Sequence, residues 1–211
     1  MNPITARRTS LKKSPFRARL GEIATIRQGY HFRTKVEHNP NGDISVVQSA
    51  DINDSNGVSP DGLVKVNGDR IKPEYHLQPG SILLKARGTN YTAALFNIEG
   101  IKAVAAYHFL VVSIQNHELL PQYLTWFVNR PQSQYFLSQV ASGSYIKALS
   151  PQALATLEVT IPSIEQQELI INIDHLAQRE SVILDEIKAK RDQLIQSILN
   201  RSISGRIRTE P

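Results

Sequence analysis

The chain changes character along its length, from short apolar runs between turns to apolar residues at helical spacing. Between residues 20 and 114, turn-forming pairs such as Asn41-Gly42, Pro79-Gly80 and Glu99-Gly100 separate the runs. Short β-rich runs bounded by such pairs are typical of strands. We predict strands in the runs 22–27, 44–48, 63–66, 81–85, 101 with 104–114, and 157–161.

Three short helices are predicted before the last of these strands. Apolar residues recur every three or four positions between Leu119 and Val128, and again after Pro131, which is the spacing of a helix face. Ser150 before Pro151 predicts the start of another helix, because serine caps helix N-termini and proline is tolerated at the first helical position.

The last segment predicts one long helix. Ser163 and Gln166 form a capping-box pattern, and no helix breaker follows before Gly205. About 38 residues at 1.5 Å each give roughly 57 Å. The apolar residues recur near the heptad spacing, which favours pairing with a partner helix, although a helix lying over its own domain stays open as an alternative. The residues assigned to the pairing face are Leu169, Ile173, Leu176, Ile183, Ile187, Leu194 and Ile198.

These elements predict an α+β fold, with one strand-rich mixed domain followed by one long projecting C-terminal helix that pairs as a coiled coil. The 211 residues, 41% of them hydrophobic, are enough to bury a core. We place a basic mobile tail at 1–19, the strand-rich domain at 20–161, the helix at 162–201 and a second tail at 202–211.

Composition and charge limit the compartment in which we expect the protein and the place where it could bind nucleic acid. Without cysteine, disulfides and thiolate chemistry are excluded. No apolar run approaches the roughly 20 residues that a membrane-spanning helix needs, so we expect a cytoplasmic protein with no membrane contact. The net charge is +5, but residues 1–19 alone carry six cations and no acid. A nucleic-acid site in the strand-rich domain must therefore come from local loops.

No pattern predicts a catalytic site. Residues 144–147 match S-x-x-K, the nucleophile spacing of penicillin-recognising enzymes, but the S-D-N and K-T-G motifs of those enzymes do not occur. Pro60-Asp61 lacks a suitably placed Glu-x-Lys for a Mg²⁺-dependent nuclease and reads as a turn. His31 and His38 share a loop without metal-ligand spacing. We expect no catalytic residue, no metal and no cofactor in this chain.

Three polar loops mix cations, amides and aromatics in a way that suits DNA. Arginine forks match guanine edges, amides match adenine, and cations match phosphates. Gly29 is expected to allow the backbone to approach DNA closely. The candidate DNA-binding residues are Arg27, Gln28, Tyr30, His31, Arg33 and Lys35 in the first loop, Lys85, Arg87, Thr89, Asn90 and Tyr91 in the second, and Tyr145 and Lys147 in the third.

The order of motifs resembles the specificity subunit of type I restriction-modification systems. The motifs carrying the resemblance are Leu20-Gly21-Glu22-Ile23-Ala24 leading into Gly29, the run 77–84 followed by Arg87-Gly88, Pro121-Gln122-Tyr123-Leu124, Leu149-Ser150 with Leu154, and Val159-Thr160-Ile161-Pro162 with Glu165-Gln166-Gln167. Together they extend from about residue 16 to residue 200. The resemblance implies a non-catalytic subunit that recognises DNA sequence.

The resemblance also implies partners. Family members usually carry two target-recognition domains, each followed by a long helix, and the two helices pack antiparallel. One domain and one helix are similar to a half-subunit, which implies a homodimer on a split palindromic target. The expected partners are double-stranded DNA, a DNA methyltransferase subunit and an ATP-dependent restriction subunit; S-adenosylmethionine, ATP and Mg²⁺ would belong to those subunits.

Two other functions stay open from the sequence. An interaction scaffold or decoy would bind methyltransferase or specificity subunits through the helix without reading DNA. An undetected enzyme would act on DNA with Mg²⁺ by itself. Sequence-specific DNA protection by a reconstituted complex separates the first from a specificity subunit, and activity of the isolated chain would reveal the second.

Overall fold

The computed structural model describes residues 14–53, 56–88, 90–143 and 147–203. The strands are β1 (Phe16–Arg19), β2 (Ala24–Gln28), β3 (Ile44–Val47), β4 (Val64–Val66), β5 (Ser81–Lys85), β6 (Ala93–Phe96), β7 (Ala103–Ala105), β8 (Phe109–Ile114) and β9 (Glu158–Ile161). The α-helices are α1 (Leu20–Ile23), α2 (Pro121–Asn129), α3 (Pro131–Val140), α4 (Pro151–Ala155) and α5 (Ile164–Ile203). The α+β fold predicted from the sequence is confirmed.

A four-stranded antiparallel sheet in the order β2-β8-β5-β6 forms the centre of the strand-rich domain. Ile82 and Leu84 pack into one core, whereas Leu83, on the same strand, packs into another. Side chains on a strand alternate between the two faces, so both faces of this sheet are buried. Burial on both faces explains why the run 109–112 is apolar without alternation.

Different layers cover the two faces. Helices α2 and α3 cover the first face with side chains such as Leu124 and Leu137. A three-stranded sheet in the order β4-β3-β7 covers the second with Val47 and Ala105. A third core forms on the opposite face of the three-stranded sheet and includes Val46 of β3 and Val104 of β7. Tyr30 and Phe32 of the first predicted loop pack against it. Helices, the central sheet and the three-stranded sheet therefore form three successive layers.

Two predicted strands differ from those observed. The predicted strand at 22–27 begins at residue 24, because Glu22 accepts a hydrogen bond from the Arg19 backbone N–H (3.0 Å) and closes a helical turn. The predicted run through 104–114 is two strands, β7 and β8, separated by a turn in which Phe109 N–H donates to Ala106 O (3.0 Å). Strand β6 was not predicted.

The predicted basic tail is too long at its C-terminal end. Residues 16–19 form β1, which pairs antiparallel with β9 in a register that places Phe16 opposite Ile161. The basic composition of residues 16–19 suggests a mobile tail, but main-chain pairing with β9 holds them in a strand. Residues 1–13 of that predicted tail lie outside the described residues.

The long helix is confirmed, with 40 residues from Ile164 to Ile203. Its start shows the predicted capping box: Ser163 N–H donates to Gln166 Oε1 (3.3 Å), and Gln166 N–H donates to Ser163 Oγ (3.4 Å). The chain divides into a compact unit ending at Ile171 and a second unit from Asn172 onward. The helix ends at Ile203, two residues past the predicted end at 201. Residues 204–211 lie outside the described part of the chain.

Gln167 joins the first turn of α5 to the domain that precedes it. Its side chain is fully buried. Gln167 Nε2 donates to Glu118 O (2.7 Å) and Pro162 O (2.9 Å), and Oε1 accepts from Leu120 N–H (2.9 Å). One carboxamide thus satisfies a donor and two acceptors on the backbone, at the start of α2 and at the end of β9.

Removing this carboxamide should destabilise the protein. We expect Gln167→Ala to lower the free energy of unfolding by about 1–3 kcal/mol, because buried backbone groups lose their partners. Urea denaturation checks it, with Gln196→Ala, an exposed glutamine of the same helix, as the matched control. Equal stability of the two variants would contradict the assigned role of Gln167.

Candidate nucleic-acid interface

The strand order brings the first two predicted loops to the same end of the central sheet. Strands β2 and β5 both pair antiparallel with β8, which lies between them. Gln28 at the end of β2 pairs with Leu110, and Lys85 at the end of β5 pairs with Phe109. The loops that leave β2 and β5 therefore flank the turn that enters β8.

Tyr107 lies in that turn and contacts residues of both loops. Its side chain is 41% exposed. The Arg87 guanidinium lies over its ring at 5.4 Å from the ring centroid, and the His31 ring meets it edge-on at 5.3 Å. Gln28 Nε2 donates to the Tyr107 carbonyl oxygen. We call Gln28, His31, Arg87 and Tyr107 the Tyr107 cluster.

The third loop reaches the second through the backbone. Gly88 N–H donates to Lys147 O (3.3 Å), and Leu149 N–H donates to Ala86 O (2.8 Å). Lys147 Nζ donates to Ser138 O on α3 (3.2 Å). The described parts of all three predicted loops are therefore linked at one end of the domain. Tyr145 lies outside the described residues, and so does Thr89 of the second loop.

The same end of the sheet is positively charged around His108. Burial, followed by the positive charges of Lys85 and Arg87, lowers the pKa of His108 below its ordinary value. The His108 Nε2 atom is buried and has no hydrogen-bond partner in the described part of the chain. The neutral imidazole is the form that suits this position, because the neighbouring cations and the poor solvation both oppose protonation.

Two of the predicted DNA contacts, Arg27 and Tyr30, make contacts within the domain. Arg27 Nη2 donates to Tyr75 O (3.1 Å) and His76 O (3.3 Å), and burial lowers the pKa of its guanidinium. The Tyr30 ring packs edge-on against Phe32 (4.8 Å) and Tyr75 (5.2 Å). Both side chains therefore help to fix the loop. Since both are only half-buried, their contact with DNA stays a prediction.

Gly29 is required by the protein's own backbone. A Cβ at this position would lie 2.1 Å from Ala106 O and 2.7 Å from Ala105 O. The close approach predicted for DNA is thus an approach to the turn that carries Tyr107. Gln28 also has a structural contact, since its amide donates to the carbonyls of Tyr107 and Phe109.

Tyr91 is wrong as a DNA contact. It is only 1% exposed and belongs to the core under α2 and α3, where burial raises the pKa of its hydroxyl. Its backbone N–H and carbonyl are held by the carboxamide of Gln134 on α3. Asn90 beside it is exposed and stays a candidate.

A cleft of about 760 Å³ continues the interface along the first loop. Its lining combines an apolar floor that includes Tyr30 with the exposed cations Arg33, Lys35 and Arg70. Arg70 was not predicted, because it lies in a separate segment that the fold brings to the loop. His31 lines the cleft and also contacts Tyr107, so the cleft and the Tyr107 cluster are continuous.

The apolar face predicted on α5 is exposed. Its residues are between 47% and 67% exposed, a range that covers Leu169, Ile173, Leu176, Ile183, Ile187, Leu194 and Ile198.

Within the described ranges, no helix is long and apolar enough to cross a membrane. Those same ranges contain no group of three His, Asp or Glu side chains arranged to hold a metal ion.

A family model for the type I restriction modification DNA specificity domain matches residues 17–190. The chain belongs to this family. The recognition of such a specificity domain from the sequence is therefore confirmed. No curated protein matches the chain.

Solved structures show that the fold of this specificity domain is shared. One, determined to explain complex assembly and conformational transition of the type I R-M system, has a TM-score of 0.69 at 18% identity over 95% of this chain and 48% of its own length. Another, the HsdS subunit from Thermoanaerobacter tengcongensis, has a TM-score of 0.62 at 18% identity over 95% and 47%. The chain thus spans about half the length of the structures it matches.

The titration of His108 should affect the stability of the specificity domain. Since the unfolded chain binds a proton at His108 near the ordinary pKa of about 6.5 and the folded chain binds it only at a lower pH, the free energy of unfolding should fall as pH falls below 6.5. We expect His108→Asn to reduce this fall. Melting temperatures between pH 5 and 8 test it, with exposed His117→Asn as the control; an unchanged pH profile for the His108 variant would contradict the assignment.

Proposed function

We propose that the chain is a non-catalytic DNA sequence-specificity subunit that recognises one half-site through the Tyr107 cluster and the adjoining cleft. The observation that carries the proposal is the convergence of three polar loops at one end of the central sheet. Cations at this end suit phosphates, and the exposed Arg87 fork suits a guanine edge. His31, Arg33, Lys35, Lys85, Asn90 and Lys147 stay candidate contacts.

In this proposal two copies pair through the exposed apolar face of α5 and present two recognition domains to a split palindromic target. The face is too apolar to be left in water at no cost, and a second identical face matches its length and heptad spacing. The paired subunits would dock a DNA methyltransferase subunit, and through it an ATP-dependent restriction subunit. S-adenosylmethionine, ATP and Mg²⁺ would be bound by those partners.

Arg87 provides the test of sequence recognition. For Arg87→Ala in the full chain, we expect binding to the preferred duplex to weaken by about 1–3 kcal/mol and base preference to relax at one position. Selection from a randomised duplex library followed by sequencing measures both. Arg17→Ala, an exposed arginine on β1, is the matched control and should keep the preference.

Two other results would change the role assigned to Arg87. Equal weakening on all sequences would make Arg87 a phosphate contact, and unchanged binding would remove it from the interface. A wild-type chain that selects no sequence, alone or with its methyltransferase, would favour the scaffold function instead.

The helix face provides the test of pairing. We expect light scattering to find a dimer for the wild-type chain and a folded monomer for the Ile183→Glu and Ile187→Glu double variant, because buried unpaired carboxylates oppose the interface. Ser181→Glu with Ala189→Glu adds the same two charges outside the apolar face and should leave the dimer intact. A monomeric wild type would mean that the face belongs to a different partner chain.

A further inference from the structure

Tyr107 is a large exposed aromatic at the point where the recognition loops meet. It lies between β7 and β8, in a turn whose neighbours on both sides are buried in the core. Its carbonyl accepts from Gln28, and the adjacent His108 carbonyl accepts from Ala86 N–H (2.9 Å). The turn is therefore tied to both flanking loops and holds its side chain at a fixed place between them.

The surroundings of the Tyr107 ring limit what it can bind. The Arg87 guanidinium covers part of one side, and His31 meets the ring edge-on with an interplanar angle of 66°. The His108 ring also meets it edge-on, at 5.8 Å between ring centroids. These contacts hold the ring at a defined orientation between the two loops. The hydroxyl makes no hydrogen bond to the described part of the chain.

The stack also restricts Arg87. A guanidinium that lies over an aromatic ring loses rotational freedom and keeps its remaining donors in a defined plane. A preorganised fork gains more from a bidentate base contact than a freely rotating one, since less entropy is lost on binding. The ring of Tyr107 thus sets the direction in which Arg87 can donate.

We propose that Tyr107 is a specificity-determining residue, which orients Arg87 through its ring and contacts an adjacent base through its hydroxyl. The inference rests on the proposed function of the chain as a DNA-specificity subunit. The hydroxyl can donate to or accept from a base edge, as groups that read the major groove do. A phosphate contact by the same hydroxyl is the competing outcome of the test.

Two substitutions separate the ring from the hydroxyl. We expect Tyr107→Phe in the full chain to reduce preference at one base position by about 2- to 10-fold, the value of one hydrogen bond. We expect Tyr107→Ala to reduce preference at that position and also, by about 10-fold, at the position read by Arg87. Library selection and sequencing measure the preference at each position.

Tyr135→Ala is the matched control, because Tyr135 lies on α3 and is 69% exposed. It should keep the wild-type preference at every position. Melting temperatures of all variants show whether each is folded. Because Tyr107 is exposed, its substitution should leave the fold intact.

A double variant tests the link between ring and guanidinium. If Tyr107 orients Arg87, the combined Tyr107→Ala and Arg87→Ala variant should lose less preference than the two single losses multiplied together. Multiplicative losses would overturn the positioning role. A uniform loss of affinity on all sequences, or no change, for the Tyr107 variants would overturn the whole inference.

The failure of this inference is distinguishable from that of the proposed function. A wild-type chain that selects a sequence, together with Tyr107 variants that select the same sequence with the same preferences, leaves the specificity function and removes Tyr107 from it. A wild-type chain that selects no sequence, alone or with its methyltransferase, removes the specificity function itself.

Discussion

Strand β8 forms backbone hydrogen bonds with β2 on one side and β5 on the other, antiparallel to both. This arrangement makes β2 and β5 run in the same direction, so the loops after them leave from one end of the sheet. The turn before β8 leaves from the same end. Loops that are more than fifty residues apart in the sequence thereby meet around Tyr107. The candidate interface is a consequence of strand order before any side chain is considered.

The burial of the central sheet restricts where such an interface can form. Both faces of the sheet are covered, one by helices and one by the second sheet. Polar side chains on either face would lose water without gaining partners. The ends of the strands leave room for polar chemistry, and at one of these ends the chain carries Arg87, Lys85 and His31. The apolar core and the polar interface are thus two results of one layered arrangement.

Local patterns predicted much of the fold from the sequence. Ser163 and Gln166 correctly marked the start of α5, and the prolines at 121, 131 and 151 each begin a helix as helix-start rules expect. The interface was harder to predict from the sequence, because tertiary packing decides which loop side chains are buried. Tyr91 and Tyr107 both adjoin polar residues in the sequence, yet one is in the core and the other is exposed. Tyr107 was overlooked because it interrupts an apolar run that reads as one strand.

Main-chain hydrogen bonds hold the three polar loops in addition to the side-chain contacts of Arg27, Gln28 and Tyr30. Gly29 N–H donates to Phe109 O (2.9 Å), Tyr30 N–H to Ala105 O (2.7 Å) and Gly88 N–H to Lys147 O (3.3 Å). Backbone attachments of this kind do not depend on the identity of the exposed side chains at positions 31, 33, 35 and 87. Exchange of those side chains therefore leaves the scaffold intact while it alters the chemistry offered to a ligand. A few substitutions at these positions can therefore change the charge and the hydrogen-bonding groups at this end of the domain without a new fold.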